Sequence, residues 1–231
     1  RLTSAYAMLV NGGKRVVPAF IDRIQDRTGR TVLRHDQRTC NECEAKVWSN
    51  QVVPSIPDER QNVTTAGNAF QIVNMLKGVI ERGTGRRIRV VGKPLAGKTG
   101  TTNNERDTWF LGFSPDLAVG VYVGFDIPKP LGRKETGSSV AAPIFRDFMA
   151  AALEGKPNIP FRIPPGIRLV RVDPKTGRPA KLGDKNFIYE AFKPGEIPSE
   201  QEDVIKGYDC SQHNESCGGV NSPSTGTGGL Y

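Results

Sequence analysis

Histidine and cysteine are scarce in this 231-residue chain, and long apolar runs are missing altogether. His35 and His213 are the only histidines, so a histidine-based triad or a His-rich metal centre has almost no raw material. No apolar run approaches the ~18 residues that a spanning helix needs. The opening residues, Arg1-Leu2-Thr3-Ser4-Ala5-Tyr6, lack the apolar core of a signal peptide. They also lack an initiating Met and already read as helix, which predicts a piece of a longer polypeptide. Apolar residues make up only 37% against 26 Gly and 17 Pro, so ordered elements should alternate with long connections. The length still suffices for one real core plus a tail.

What the chain does have is positive charge: 32 Lys and Arg against 24 Asp and Glu give a formal +8. That balance favours acidic partners such as nucleic acid, anionic lipid or a carboxylate-bearing substrate. The cluster Arg82, Arg86, Arg87, Arg89, Lys93 and Lys98 comes with no zinc finger, basic zipper or RNA-binding aromatic motif. It therefore reads as a solvated rim, and no nucleic-acid partner is expected. The four cysteines form two close pairs, Cys40/Cys43 and Cys210/Cys217. Such pairs suit local disulfides, or free thiols, better than zinc. A zinc site would have to close a Cys40–Cys43 knuckle with Cys210, His213 or Cys217, whose spacing is irregular. No metal or cofactor is expected.

Leu2, Ala5, Tyr6, Leu9 and Val10 recur at helical spacing until Asn11-Gly12-Gly13 stops the helix. A hairpin follows, with Asp26-Arg27-Thr28-Gly29 as its turn. Residues 36–62 are polar and irregular and read as an insertion loop. Thr64 or Thr65 can cap a second helix whose Ala69, Ile72, Val73, Leu76, Val79 and Ile80 form one apolar stripe, ended by Gly83-Thr84-Gly85. A short strand is expected over 88–91. Thr108 to Phe113 and Leu117 to Phe125, separated by Ser114-Pro115-Asp116, leave room only for an antiparallel pair. Trp109 is expected in the core, Asp126 at a strand end, and Asn103, Asn104 and Arg106 in a loop or cleft lip. Ser138 or Ser139 should cap a third helix with Pro143 in its first turn. A Pro-rich connection and a small hairpin turning at Asp173-Pro174-Lys175-Thr176-Gly177 occupy 157–192. Residues 193–231 read as a flexible tail behind a principal domain over 1–156.

One segment carries the chemistry. Gly92-Lys93-Pro94-Leu95-Ala96-Gly97-Lys98-Thr99 fits the phosphate-loop pattern G-x-x-x-x-G-K-[ST] letter for letter. A phosphate loop needs a helix directly afterwards. Gly100-Thr101-Thr102-Asn103-Asn104 is instead a run of poor helix formers. The next strand follows within about eight residues, too few for a parallel crossover of roughly a dozen. Nucleotide binding remains a remote alternative. The favoured reading places Lys-Thr-Gly-Thr on the edge of an antiparallel sheet, alongside a bound peptide or acyl group. Gly100 would then admit the ligand, and the Thr101 amide would face a developing oxyanion. The Thr99 and Thr101 hydroxyls would hold a carboxylate. Lys98 would supply positive potential and keep a nearby serine poised as proton shuttle.

The trio S-x-x-K, S-x-N and K-T-G marks penicillin-binding proteins. Several segments here together resemble the C-terminal part of the transpeptidase domain of bifunctional class A penicillin-binding proteins, 1A type. They are Leu2-Thr3-Ser4-Ala5-Tyr6-Ala7-Met8 with Asn11-Gly12-Gly13, Ala96 through Thr102, and Asp107-Thr108-Trp109-Phe110. Gly120 to Asp126 and Ala142-Pro143-Ile144-Phe145 complete the set, and the likeness covers roughly residues 1–180. The resemblance implies an α+β fold, an antiparallel sheet covered by helices and incomplete relative to the β-lactamase-like whole. It implies D,D-transpeptidation of peptidoglycan stem peptides, with β-lactams acylating the same serine. Lys98 and Thr101 would be catalytic, and Thr99, Gly100, Thr101 and Thr102 would bind substrate. The implied parent is anchored in the bacterial inner membrane by a segment outside these residues, works on its periplasmic face, carries a glycosyltransferase and can form homo-oligomers. The sequence departs from the pattern in one respect: it contains no S-x-x-K and no S-x-N. The isolated chain is therefore expected to be inactive, and a non-catalytic module that binds cell-wall peptides is the alternative.

Overall fold

The computed structural model describes residues 1–198 except 39, 41, 42, 44–46, 48 and 51. Cys210, His213, Cys217 and nearly all of the expected tail lie outside the described residues. At the centre is a three-stranded antiparallel sheet in the order β3-β4-β5: β3 Ala96–Thr101, β4 Asp107–Phe113 and β5 Ala118–Gly124. β3 and β4 pair in unbroken register from Ala96↔Phe113 to Thr101↔Thr108. The turn Ser114-Pro115-Asp116 delivers the antiparallel β4–β5 pair expected of it. Between β3 and β4 a single 3₁₀ turn, Asn103–Glu105, reverses the chain, with Asn104 in the left-handed region that Asn tolerates.

Alternation along β4 sends Phe110 to one face of the sheet and Trp109, Leu111 and Phe113 to the other. Phe110 stacks at 4.6 Å on Phe145 of α3 (Ala142–Ala152), in a core shared with Ile80, Ile88, Leu95 and Met149. On the second face Phe113 packs with Ala96, with Val73 and Leu76 of α2 (Ala66–Glu81), and with Tyr6 and Leu9 of α1 (Leu2–Val10). The Thr65 side chain caps α2 by accepting from the Asn68 amide.

Two expectations change. Residues Arg86–Val91 form a 3₁₀ helix, not a strand: Gly85 and Gly92 bracket them, and three residues per turn put both Ile88 and Val91 against the core. The third helix is capped two residues before Ser138. Thr136 caps a wide helical turn over Gly137–Ala141, accepting from the Ser139 amide while Ser139 Oγ accepts from the Thr136 amide. Pro143 sits in the first turn of α3 as expected. The early hairpin, β1 Arg23–Gln25 and β2 Thr31–Arg34, forms around the expected turn. It stands apart from the central sheet with every position exposed, Ile24 and Leu33 facing each other across the pair.

The Pro-rich connection leads to β6 (Arg168–Val172), whose partner is β7 (Ile188–Phe192). The expected turn over 173–177 forms, closed by the Asp173 amide on Arg178 O at 2.9 Å and the Ala180 amide on Arg171 O at 2.8 Å, but beyond it the pairing is a single bridge between Val172 and Pro179. β7 docks on α2, where Asn74 Nδ2 donates to Tyr189 O at 3.0 Å and Gln71 Nε2 to Ala191 O at 3.0 Å. Cys40 and Cys43 are joined in a disulfide.

Candidate active site

β3 is an edge strand, and no strand among the described residues pairs with its outer side. The Thr102 amide donates to Asp107 O at 3.0 Å, just beyond the last β3–β4 pair. Hydrogen-bonded pairs alternate in an antiparallel ladder, so Gly100 and Lys98 also direct their main-chain groups toward β4. By the same parity, the amides and carbonyls of Thr99 and Thr101 point away from the sheet. The orientation needed to meet an incoming carbonyl is thus a consequence of register.

Lys98 is half-buried, and its Nζ donates to the outward-facing Thr99 carbonyl at 3.2 Å, which brings the cation to the free edge. Thr99 and Thr101 share a face opposite to Lys98, as period two requires. There Thr99 Oγ1 lies 2.9 Å from Thr84 Oγ1, and Thr101 Oγ1 accepts from the Gly137 amide at 2.9 Å. Thr102 follows the strand, and its hydroxyl accepts the Asp107 amide at 2.9 Å, closing the turn. Gly100 sits across from Trp109, whose Cβ would lie 3.2 Å from a Cβ added at Gly100. Trp109 is half-exposed rather than core-buried, with its ring 4.5 Å from that of Tyr122. Tyr122 in turn donates to Asp107 at 2.8 Å.

The strand is embedded among partners that sequence reading did not single out. Gly137 rests on the sheet so closely that a Cβ would fall 2.6 Å from both the Gly100 and Trp109 carbonyl oxygens. Ser138 Oγ donates to Thr84 O at 2.8 Å. Gly83-Thr84-Gly85 looked only like a helix stop, and no local pattern ties Thr84 to a residue 15 positions on.

No phosphate loop exists at Lys98. Residues 96–101 are strand, and only the short 3₁₀ turn at Asn103–Glu105 follows, so there is no helix N-terminus to collect phosphate. Two members of the basic cluster are engaged within the fold: Arg82 pairs with Glu190 at 2.8 Å and Arg89 reaches Glu81 O at 3.3 Å. A cleft elsewhere, floored by Leu9, Phe70 and Phe161, has its one acid, Asp58, already held by Lys14 and Arg60. None of its lining residues comes from β3. Among the described residues, no three His, Cys, Asp or Glu side chains converge as metal ligands.

Comparison with known proteins agrees with this geometry. The family model of the penicillin-binding protein transpeptidase domain matches residues 1–150. Penicillin-binding protein 1A of Rickettsia conorii is 43% identical over 212 residues, 90% of this chain but 26% of that protein. Its Pseudomonas aeruginosa counterpart is 34% identical over 236 residues, 89% of this chain and 29% of that protein. The crystal structure of penicillin-binding protein 1A from Haemophilus influenzae superimposes with a TM-score of 0.68 at 31% identity, covering 86% of this chain and 32% of that one. The chain thus spans between a quarter and a third of the length of these relatives. With residues 1–150 of its 231 matched by the family model and its K-T-G segment on a sheet edge, the chain belongs to the penicillin-binding protein transpeptidase domain family.

Proposed function

We propose that this chain forms the K-T-G wall of a serine D,D-transpeptidase that cross-links peptidoglycan. The observation that carries this reading is the outward parity of Thr99 and Thr101 on the unpaired edge of β3, with Lys98 Nζ beside it. A stem peptide laid along that edge places its penultimate D-Ala carbonyl against the Thr101 amide. Serine Oγ attacks the carbonyl carbon, and negative charge moves onto the oxygen that this amide stabilises. The C–N bond then breaks, and D-Ala leaves as the protonated amine. An amine from a second strand attacks the acyl ester, releasing the serine and completing the cross-link. An oxyanion donor of this kind contributes on the order of 10²–10³ in rate.

Lys98 supplies positive potential to the substrate carboxylate and to the serine that shuttles the proton. Thr99 and Thr101 hydroxyls hold the carboxylate, Gly100 keeps the strand slim at its centre, and Thr102 fixes the turn that ends the binding strand. The acylated serine belongs to an S-x-x-K segment, which these 231 residues do not contain. No helix among the described residues is long and apolar enough to cross a membrane. The working protein on this reading is therefore longer. It carries the nucleophile, a glycosyltransferase and a membrane anchor in addition, and acts on the periplasmic face of the inner membrane.

Labelling with fluorescent penicillin tests the assignment. The full-length protein carrying this chain takes one covalent label, and Lys98→Ala lowers the acylation rate by about 10² or more without moving the thermal midpoint. The 231-residue chain alone takes none. Unchanged acylation in Lys98→Ala removes the lysine from the mechanism. A label on any serine of this chain overturns the assignment of the nucleophile. Binding of a D-Ala-D-Ala peptide by a full-length protein that never acylates makes the chain a non-catalytic module.

A further inference from the structure

Two turns grip the K-T-G threonines, one from Gly137 and one from Thr84, and they do so in chemically different ways. The Gly137 contact has a fixed direction because an amide only donates: Thr101 Oγ1 is the acceptor at 2.9 Å, and its own proton remains available to an anion. The Thr84 contact joins two hydroxyls at 2.9 Å, either of which can be the donor. An ionised carboxylate accepts and never donates. A carboxylate bound by Thr99 therefore takes the Thr99 proton, which leaves Thr84 as the only possible donor of the pair. Hydrogen bonds in such a chain polarise one another, so Thr84 strengthens Thr99 as a donor. The turn that presents Thr84 is itself anchored, since Ser138 Oγ donates to the Thr84 carbonyl at 2.8 Å. Both Thr84 and Thr99 are half-buried, which limits competition from water.

We infer that Thr84 is a positioning residue for carboxylate recognition: it sets the Thr99 hydroxyl as a donor toward the carboxylate of a stem peptide or β-lactam. The inference rests on the proposed reading of β3 as the substrate edge. Thr84 touches no substrate atom and acts through Thr99 alone. Its effect is consequently confined to ligands that carry the carboxylate.

The test compares acylation of the full-length protein by benzylpenicillin and by its methyl ester, which lacks the negative charge. In Thr84→Val the second-order rate with benzylpenicillin falls about tenfold, as loss of one hydrogen bond supporting a charged group predicts. The saturating rate holds, so the loss appears in binding. Thr84→Ser, which keeps the hydroxyl, restores the wild-type rate. The ester reacts equally with wild type, Thr84→Val and Thr84→Ser, which also shows that the variants are folded. Equal benzylpenicillin rates in wild type and Thr84→Val overturn the inference while leaving the transpeptidase reading intact. A parallel fall for acid and ester overturns it in favour of a purely structural role. Wild-type protein that reacts with neither compound overturns the transpeptidase reading and the inference together.

Discussion

A hydroxyl has one proton and two lone pairs, so the value of Thr99 or Thr101 to an anion depends on which of these its neighbours consume. Thr101 spends a lone pair on Gly137 and keeps its proton, an arrangement that exists only because residue 137 has no side chain. In Gly137→Ala the added Cβ would lie 2.6 Å from two main-chain carbonyl oxygens. Backbone cannot swing aside as a flexible side-chain end does, so the 137–141 turn must lift. The expected cost is about 1–3 kcal/mol of stability, as for overpacking in a core, together with slower penicillin acylation as the amide leaves Thr101. Thermal unfolding and a labelling time course read the two effects, and an unchanged midpoint would show that the close approach is not maintained in solution. None of this is legible in the string Thr136-Gly137-Ser138, where the glycine looks like ordinary loop punctuation.

Element by element, the predictable parts were those governed by short-range period and turn chemistry. α2 has its apolar stripe and a Thr cap, and β4 and β5 have a connection too short for anything but antiparallel pairing. Residues 88–91 misled because β-branched residues suit a strand, yet no strand among the described residues pairs with them and the glycines at both ends favour a tight helical turn. β7 was absent from the sequence reading because its docking is polar and distant, through Gln71, Asn74 and Arg82 of the α2 region. Asn74 is 8% exposed and donates to both Tyr189 O and Glu190 Oε2. Asn74→Ala removes both bonds and leaves the half-buried Tyr189 carbonyl without this partner, at about 1 kcal/mol. Amide hydrogen exchange across Ile188–Phe192 should accelerate in that variant more than exchange in β4, and equal protection in the two strands would show that β7 is held by packing alone.

For the molecule as a whole, the long loop between β2 and α2 must return the chain to the end of α1. It does so through Asp58, which binds both Lys14 and Arg60, and through Arg60 to Asn11 Oδ1 at 3.0 Å. The Val63 amide adds a bond to Gly13 O at 2.9 Å. Hydrogen bonds from Arg60 first, and from Lys14 next, hold the Asp58 carboxyl well below the usual carboxylate range. Because its folded-state pKa is lowered, the carboxylate stabilises the fold fully above its unfolded value of about 3.9. That contribution is lost as pH falls below this value and through the folded one. The gap in thermal midpoint between wild type and Asp58→Asn should therefore be constant from pH 7 to about 5 and close as pH drops further. A gap that persists unchanged at pH 2 would mean that Asp58 contributes through shape and not charge.

The sequence alone determined that Lys98-Thr99-Gly100-Thr101 lies on a strand with an antiparallel partner. Local propensity and turn length act within about ten residues and carry that strand reading, whereas the likeness to penicillin-binding transpeptidases came from several short segments recognised together along residues 1–150. The parity that turns the Thr101 amide outward, the contact of Thr84 with Thr99, and the seat of Gly137 on the sheet were decided only by the tertiary structure. Each joins residues that local rules treat as strangers, separated by 15 or 36 positions in the two hydroxyl contacts. They become neighbours only when the two aromatic cores around Phe110 and Phe113 close on the sheet.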